Sequence, residues 1–140
     1  MDQFEPKIVV FFCNWCTATA ADMAGTLRMK YPPNIRPIRV MCSSSVDPVY
    51  ILKAFLSGAD AVLIGGCPPG DCHYGSGNFK TRRRIAAMKE VLNTLGLEGD
   101  RLWIRWISAA EGRKFAETAI EITEEIKKIG PSKMAQCGFM

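Results

Sequence analysis

Apolar residues gather in four short runs, and the intervals between them carry helical periodicity. The first run, Lys7–Cys13 (KIVVFFC), is apolar without alternation, the pattern of a strand buried on both faces. The second, Ile35–Met41, leads into Cys42, and the third, Ala61–Gly65, leads through Gly66 into Cys67. The fourth, Arg101–Ile107, alternates Leu102, Ile104 and Trp106 with Arg101, Trp103 and Arg105, as a half-covered edge strand does.

A helix is predicted over Thr17–Lys30, with Thr19 and Asp22 at the spacing of a capping pair and Pro32–Pro33 as its stop. Asp47–Pro48 reads as an N-cap followed by a proline at the first helical position, in a helix reaching Ser57 with Gly58 beyond its end. Residues 65–78 are rich in glycine and proline and predict a loop. A third helix follows over Phe79–Leu95, with Ile85, Met88, Val91, Leu92 and Leu95 on one stripe and Gly96 at its end. Ser108 and Glu111 have the spacing of a capping box for a last helix that stops at Gly130–Pro131.

Strand followed by helix, four times over, predicts an α/β fold: a small three-layer parallel sheet with right-handed crossovers. The flavodoxin-like order 2-1-3-4 is expected. It sets strands 1, 2 and 3 side by side and puts a ligand site at their carboxyl edge, at the switch point between strands 1 and 3. Residues 1–130 form one domain on this reading, and residues 131–140 are a tail without a clear element.

The chemistry-bearing residues fall at those strand ends. Cys13 closes the first strand and Cys16 follows three residues on; Cys42 closes the second; Cys67 closes the third, with Cys72 five residues further. Five thiols therefore converge, and convergent thiolates are the ligands of iron–sulfur clusters and of zinc. The amino ends of the following helices face the same edge and would stabilise an anionic cluster. Glycines 65, 66, 70, 75 and 77 let the backbone come close to sulfur. His73 adjoins Cys72 and is a candidate for ligating iron or, the favoured reading, for tuning the site by hydrogen bonding. Trp15 and Tyr74 flank the cysteines and can shield them. Cys137, in the tail, reads as an unligated thiol. A buried cysteine also packs as a small hydrophobe, which is the competing account of Cys42 in particular.

Composition narrows the class. The chain of 140 residues is 48% hydrophobic and 23% charged, ordinary for a soluble globular domain. No apolar run approaches the roughly 20 residues that cross a bilayer, so no membrane span is expected. The opening MDQFEPK lacks the regions of a signal peptide, which points to the cytoplasm, where grouped cysteines bind metal or do redox work more often than they form disulfides. The net charge of +4 is mild. Its one dense run, Lys80 with Arg82, Arg83 and Arg84, is a solvated helix face or a docking patch for an acidic protein surface or an anionic cluster. Nucleic acid is not expected, because basic residues are not interleaved with aromatics. The first turn, CNWCTATA, lacks a dinucleotide fingerprint, and the glycine-rich loop lacks the lysine of a phosphate-binding loop. No nucleophile elbow is present. Two other readings use the same thiols: a structural zinc module, and a thioredoxin-like oxidoreductase built on Cys13 and Cys16 alone.

The stretch C13-N-W-C16, Cys42 after the second strand and G65-G-C-P-P-G-D-C-H-Y74 together resemble the delta subunit of methyl-viologen-reducing hydrogenase. This is the non-deazaflavin-reducing iron–sulfur subunit of methanogenic archaea and their relatives. The likeness spans about residues 4–130, and GCPPGDCHY is its most specific part. The resemblance implies one 2Fe–2S cluster and a non-catalytic electron-relay role in an oxidoreductase complex of methanogenesis. Its implied partners are the small and large subunits of a nickel–iron hydrogenase and the flavoprotein subunit of heterodisulfide reductase, with formate dehydrogenase as donor in some relatives. Carried over by position, it marks Cys13, Cys16, Cys42, Cys67 and Cys72 as the cluster set without saying which four bind iron. Cys137 lies outside it.

Overall fold

The computed structural model describes residues 4–134; Cys137 and the rest of the tail beyond Met134 lie outside the described residues. Four strands, β1 (Ile8–Cys13), β2 (Ile35–Val40), β3 (Ala61–Gly66) and β4 (Leu102–Trp106), form one sheet in the order β2-β1-β3-β4. Every pairing is parallel: Ile8 stands opposite Ile35 on one side and Ala61 on the other, and Val62 stands opposite Leu102. The helices are α1 (Thr17–Thr26), α2 (Pro48–Leu56), α3 (Gly77–Thr94) and α4 (Gly112–Ile129).

Right-handed crossovers dictate the layering. The chain moves from β1 out to β2, crosses back to β3, then continues to β4, so successive helices cannot all lie on one face. The period-2 alternation of β1 records the result. Phe11 packs in a core with Val46, Ile51, Phe55, Ile85, Met88 and Leu92 from the α2 and α3 side. Ile8, Val10 and Phe12 pack with Ala18, Ile122 and Ile126 from the α1 and α4 side. Two covered faces are what an apolar run without alternation requires.

A polar clasp closes the opposite, amino edge. Asp60 accepts from the backbone N–H of Lys7 and of Ser132, each at 2.9 Å. Arg101, only 1% exposed, donates to Glu98 at 2.6 Å and to the carbonyls of Asp60 and Pro131 at 3.0 and 3.1 Å. A buried guanidinium is costly unless its donors are used, and here they tie the strands to the start of the tail.

Several predicted bounds are corrected. Helix α1 stops at Thr26, not Lys30, because the chain turns back at Arg28 (φ 56°), where Met29 donates to the carbonyl of Ala24. Thr19 and Asp22 do not cap it. The first helical carbonyl belongs to Cys16, and the Thr19 hydroxyl donates to the carbonyl of Trp15 at 3.3 Å. The capping box of α4 is half formed: Glu111 Oε1 accepts from the Ser108 N–H at 2.9 Å, while the helix itself begins at Gly112. Helix α3 starts at Gly77, two residues earlier than predicted. Asp47 caps α2 as expected, accepting from the Val49 N–H at 2.8 Å. Among the described residues no helix is long and apolar enough to cross a membrane.

Candidate metal centre

The winding of the chain reverses between β1 and β3. Their outgoing loops part toward opposite faces and leave a crevice at the carboxyl edge. Cys13 ends β1 and Cys67 follows β3, so both sulfurs enter that crevice; they lie 3.6 Å apart and are buried. Cys16 joins them from the start of α1, close enough to act on the ionisation of Cys67. Cys42 leaves β2 two residues past its end and meets Cys72 at 3.8 Å. The five thiols stand at the carboxyl ends of the strands in two groups, Cys13, Cys16 and Cys67 at the β1–β3 crevice and Cys42 with Cys72 beside β2. Among the described residues no three such donors are already closed around a common point in metal-ligand geometry.

Short polar contacts fix these loops. The N–H of Thr17 donates to Cys13 Sγ at 3.5 Å, and its hydroxyl bridges the carbonyls of Gly66 and Ile107, each at 3.4 Å. Gly65 and Gly66 leave room for this crossing: a Cβ at Gly65 would stand 2.6 Å from Thr17 Cγ2, and one at Gly66 would stand 3.0 Å from Ser43 Oγ. The turn Ser43–Ser45 presents Cys42, with Ser44 Oγ donating to its sulfur at 3.2 Å. Two residues of α3 hold that turn. The buried Thr81 hydroxyl meets Ser43 Oγ at 3.0 Å, and Arg84 donates to the carbonyls of Ser44 and Val46 at 2.6 and 3.0 Å. Asn78 fastens the third loop by donating to the carbonyls of Cys67 and Pro68 at 3.0 and 2.9 Å. Gly77 explains the early start of α3: a Cβ there would lie 2.5 Å from Cys42 Sγ and 3.1 Å from Cys72 Sγ. Only a residue without a side chain lets the helix end rest on the sulfur pair.

Electrostatics divide the site. Burial, then the neighbouring thiols of Cys16 and Cys13, push the Cys67 thiol far above its ordinary range. At Cys72, burial pulls upward too, but the backbone N–H groups of Tyr74, Asn78 and Gly77 and the Cys42 thiol outweigh it and hold Cys72 below the usual 9.0. The donors include the first turn of α3, where orphan N–H groups favour negative charge. Without a bound cation Cys67 resists ionisation and Cys72 favours it.

An aromatic strap crosses the edge. Trp15 stacks on His73 with ring centroids 3.9 Å apart at 15°, and its Nε1 donates to the Tyr74 hydroxyl at 3.2 Å. His73 thus faces the indole, and no hydrogen bond joins it to a sulfur among the described residues. The strap joins the Cys13–Cys16 loop to the loop after Cys72. Sequence reasoning missed Thr17, Ser44, Asn78, Thr81 and Arg84; their one common signal is a position within a turn of a strand-end cysteine or on the helix that follows.

Comparison with known proteins places this arrangement. Residues 8–130 match the family model described as methyl-viologen-reducing hydrogenase, delta subunit. The chain is 53% identical to an iron-sulfur subunit of the vhc F420-non-reducing hydrogenase of Methanococcus voltae, over 96% of this chain and 94% of that one. It is 49% identical to an F420-non-reducing hydrogenase iron-sulfur subunit of Archaeoglobus profundus, over 94% and 96% of the two chains. It is also 48% identical to part of a larger protein of Methanosarcina acetivorans, which belongs to its ferredoxin/F(420)H(2)-dependent CoB-CoM heterodisulfide reductase; there 90% of this chain aligns with 16% of that one.

Proposed function

The chain belongs to the delta subunit family of methyl-viologen-reducing hydrogenase, and from that premise we propose that it is an electron-transfer subunit. It carries one 2Fe–2S cluster on four of Cys13, Cys16, Cys42, Cys67 and Cys72. The observation that carries this reading is the meeting of thiols from three different strand ends at one edge, with sulfur contacts of 3.6 and 3.8 Å. The donor set fits: soft thiolates on a neutral, N–H-rich edge are what such a cluster takes. When bound, the cluster supplies a site that accepts and gives up single electrons. The protein's own residues do the rest. Thr17, Ser44 and the first turn of α3 direct hydrogen-bond donors at Cys13, Cys42 and Cys72. Buried apolar residues keep water from Cys13 and Cys67. His73 acts through the aromatic strap rather than as a ligand.

The role is a relay from the subunits of a nickel–iron hydrogenase, or from a formate dehydrogenase, to the flavoprotein subunit of heterodisulfide reductase. Its support is that relatives named for heterodisulfide reductase contain a segment matching this chain within their own polypeptide. The test is anaerobic purification with the neighbouring subunits. Visible absorption of the chain should bleach under hydrogen only when the hydrogenase is present, and recover on adding oxidised flavoprotein. A colourless chain holding one zinc ion per molecule would end the proposal in favour of a structural zinc module, which would use the same thiols. A thiol oxidoreductase needs only Cys13 and Cys16, whereas the sulfur of Cys13 rests against Cys67.

A further inference from the structure

Strand β2 is the least protected part of the sheet. Four consecutive residues, Arg36 to Arg39, are exposed, whereas every residue of β3 is buried. Helix α2 is only nine residues long and covers Phe11 and Val62 with its Ile51 and Phe55 face, stopping short of β2. The gap is a cavity of about 400 Å³ floored by Val9, Phe11, Ile38 and Ala54. On its α2 wall, Tyr50, Lys53, Ala54 and Ser57 fall at i, i+3, i+4 and i+7, so a continuous stripe of that helix faces the opening. Ile38 is 45% exposed and Tyr50 51%, so adjacent elements both present apolar surface at the groove.

The rim is cationic. Lys7, Arg36 and Lys53 line the groove, and among the described residues none of them is in an ion pair. A second copy seated across a two-fold axis would bring two such rims together, which like charges oppose. The free edge of β2 also resists strand addition. The Asn34 carbonyl accepts from the Ile8 N–H of β1, so by alternation Pro37 faces outward, and Pro has no N–H to offer.

We propose that this groove is a docking site for an amphipathic helix of a neighbouring protein, with an apolar stripe seated on Ile38, Phe11 and Tyr50 and acidic flanks facing Lys7, Arg36 and Lys53. The helix would lie beside α2 and complete the layer that covers β2, as in helix-in-groove recognition. The site is separate from the cysteine edge. The inference holds whichever metal the cysteines carry, and its test reads contacts rather than iron.

The experiment uses the intact complex in which the chain is co-expressed with its neighbours. Tyr50 is replaced by the photoreactive p-benzoylphenylalanine, and the cross-linked peptide is sequenced. In parallel, Ile38→Asp and Lys53→Glu are each compared with wild type for retention of the cross-linked neighbour. Circular dichroism and the urea midpoint confirm that each variant folds. The expected result is an adduct on a helical segment bordered by Asp and Glu, with retention weakened about tenfold by each variant, the effect of losing one anchor at an interface. An adduct confined to a second copy of this chain, or to its own residues 135–140, overturns the proposal. So does the absence of an adduct, or wild-type retention by both variants.

Discussion

Replacing Gly77 by Ala puts one methyl group where two sulfurs converge. The built Cβ lies 2.5 Å from Cys42 Sγ, 3.1 Å from Cys72 Sγ and 3.2 Å from Ser44 Oγ, all closer than a carbon can sit without displacement. The backbone itself does not resist, since Gly77 is not among the residues with positive φ. Helical propensity favours alanine by up to about 1 kcal/mol, less in a first turn. Overpacking a filled site costs about 1–3 kcal/mol. The metal-free protein should therefore lose roughly 0–3 kcal/mol by urea titration. The functional loss should be larger, because a pair of the proposed ligands must itself move. The variant should retain less than about half of the iron per chain when purified anaerobically, since a misplaced thiolate is a lost ligand. Gly25→Ala is the control. It lies in α1 with nothing within 4 Å and should keep its iron and gain up to about 1 kcal/mol. Wild-type iron content and spectrum in Gly77→Ala would refute the reasoning.

Other expectations follow from the same contacts. Thr81→Val, which removes the buried hydroxyl that meets Ser43, should destabilise the metal-free fold by about 1–2 kcal/mol in urea unfolding. Arg84→Met frees the carbonyls of Ser44 and Val46 and should speed the release of iron to a chelator, measured as loss of visible absorption over time. Iodoacetamide at neutral pH should label Cys72 well before Cys67 in the metal-free protein, read by peptide mass spectrometry, because the thiolate is the reactive form. The hydrogen bond from Arg101 holds the Glu98 carboxyl below its usual 4.5, so its contribution is present above that value and fades as pH falls through the depressed one. Glu98→Gln should accordingly be less stable than wild type at pH 7, with the difference vanishing on acidification.

How much of this was legible depends on which force set each feature. The strands were readable because β1 and β3 are buried on both faces and carry unbroken apolar runs. Their order is the one expected of a flavodoxin-like sheet, and it sets the cysteine-bearing strand ends on one edge. The start of α3 was hidden because Gly77 and Asn78 read as loop residues, while the reason for helix there is tertiary: the sulfur pair needs a residue without a Cβ. Thr19 looked like a cap from spacing alone, but the cysteine loop had already supplied the first helical carbonyl from Cys16. In the run Lys80–Arg84 composition could not separate Arg82 and Arg83, which are exposed, from Arg84, which bends back to hold the turn at Cys42. The bare face of β2 left no mark either, since coverage depends on where the short helix α2 comes to rest.

The most direct test is a count of iron and acid-labile sulfide on the anaerobically purified chain, repeated on single Cys→Ser variants at the five edge cysteines. About two of each per chain, retained by one variant and lost by the other four, is the expected pattern for a cluster of this type. A chain that binds zinc without sulfide, or that keeps full iron in all five single variants, would contradict the account.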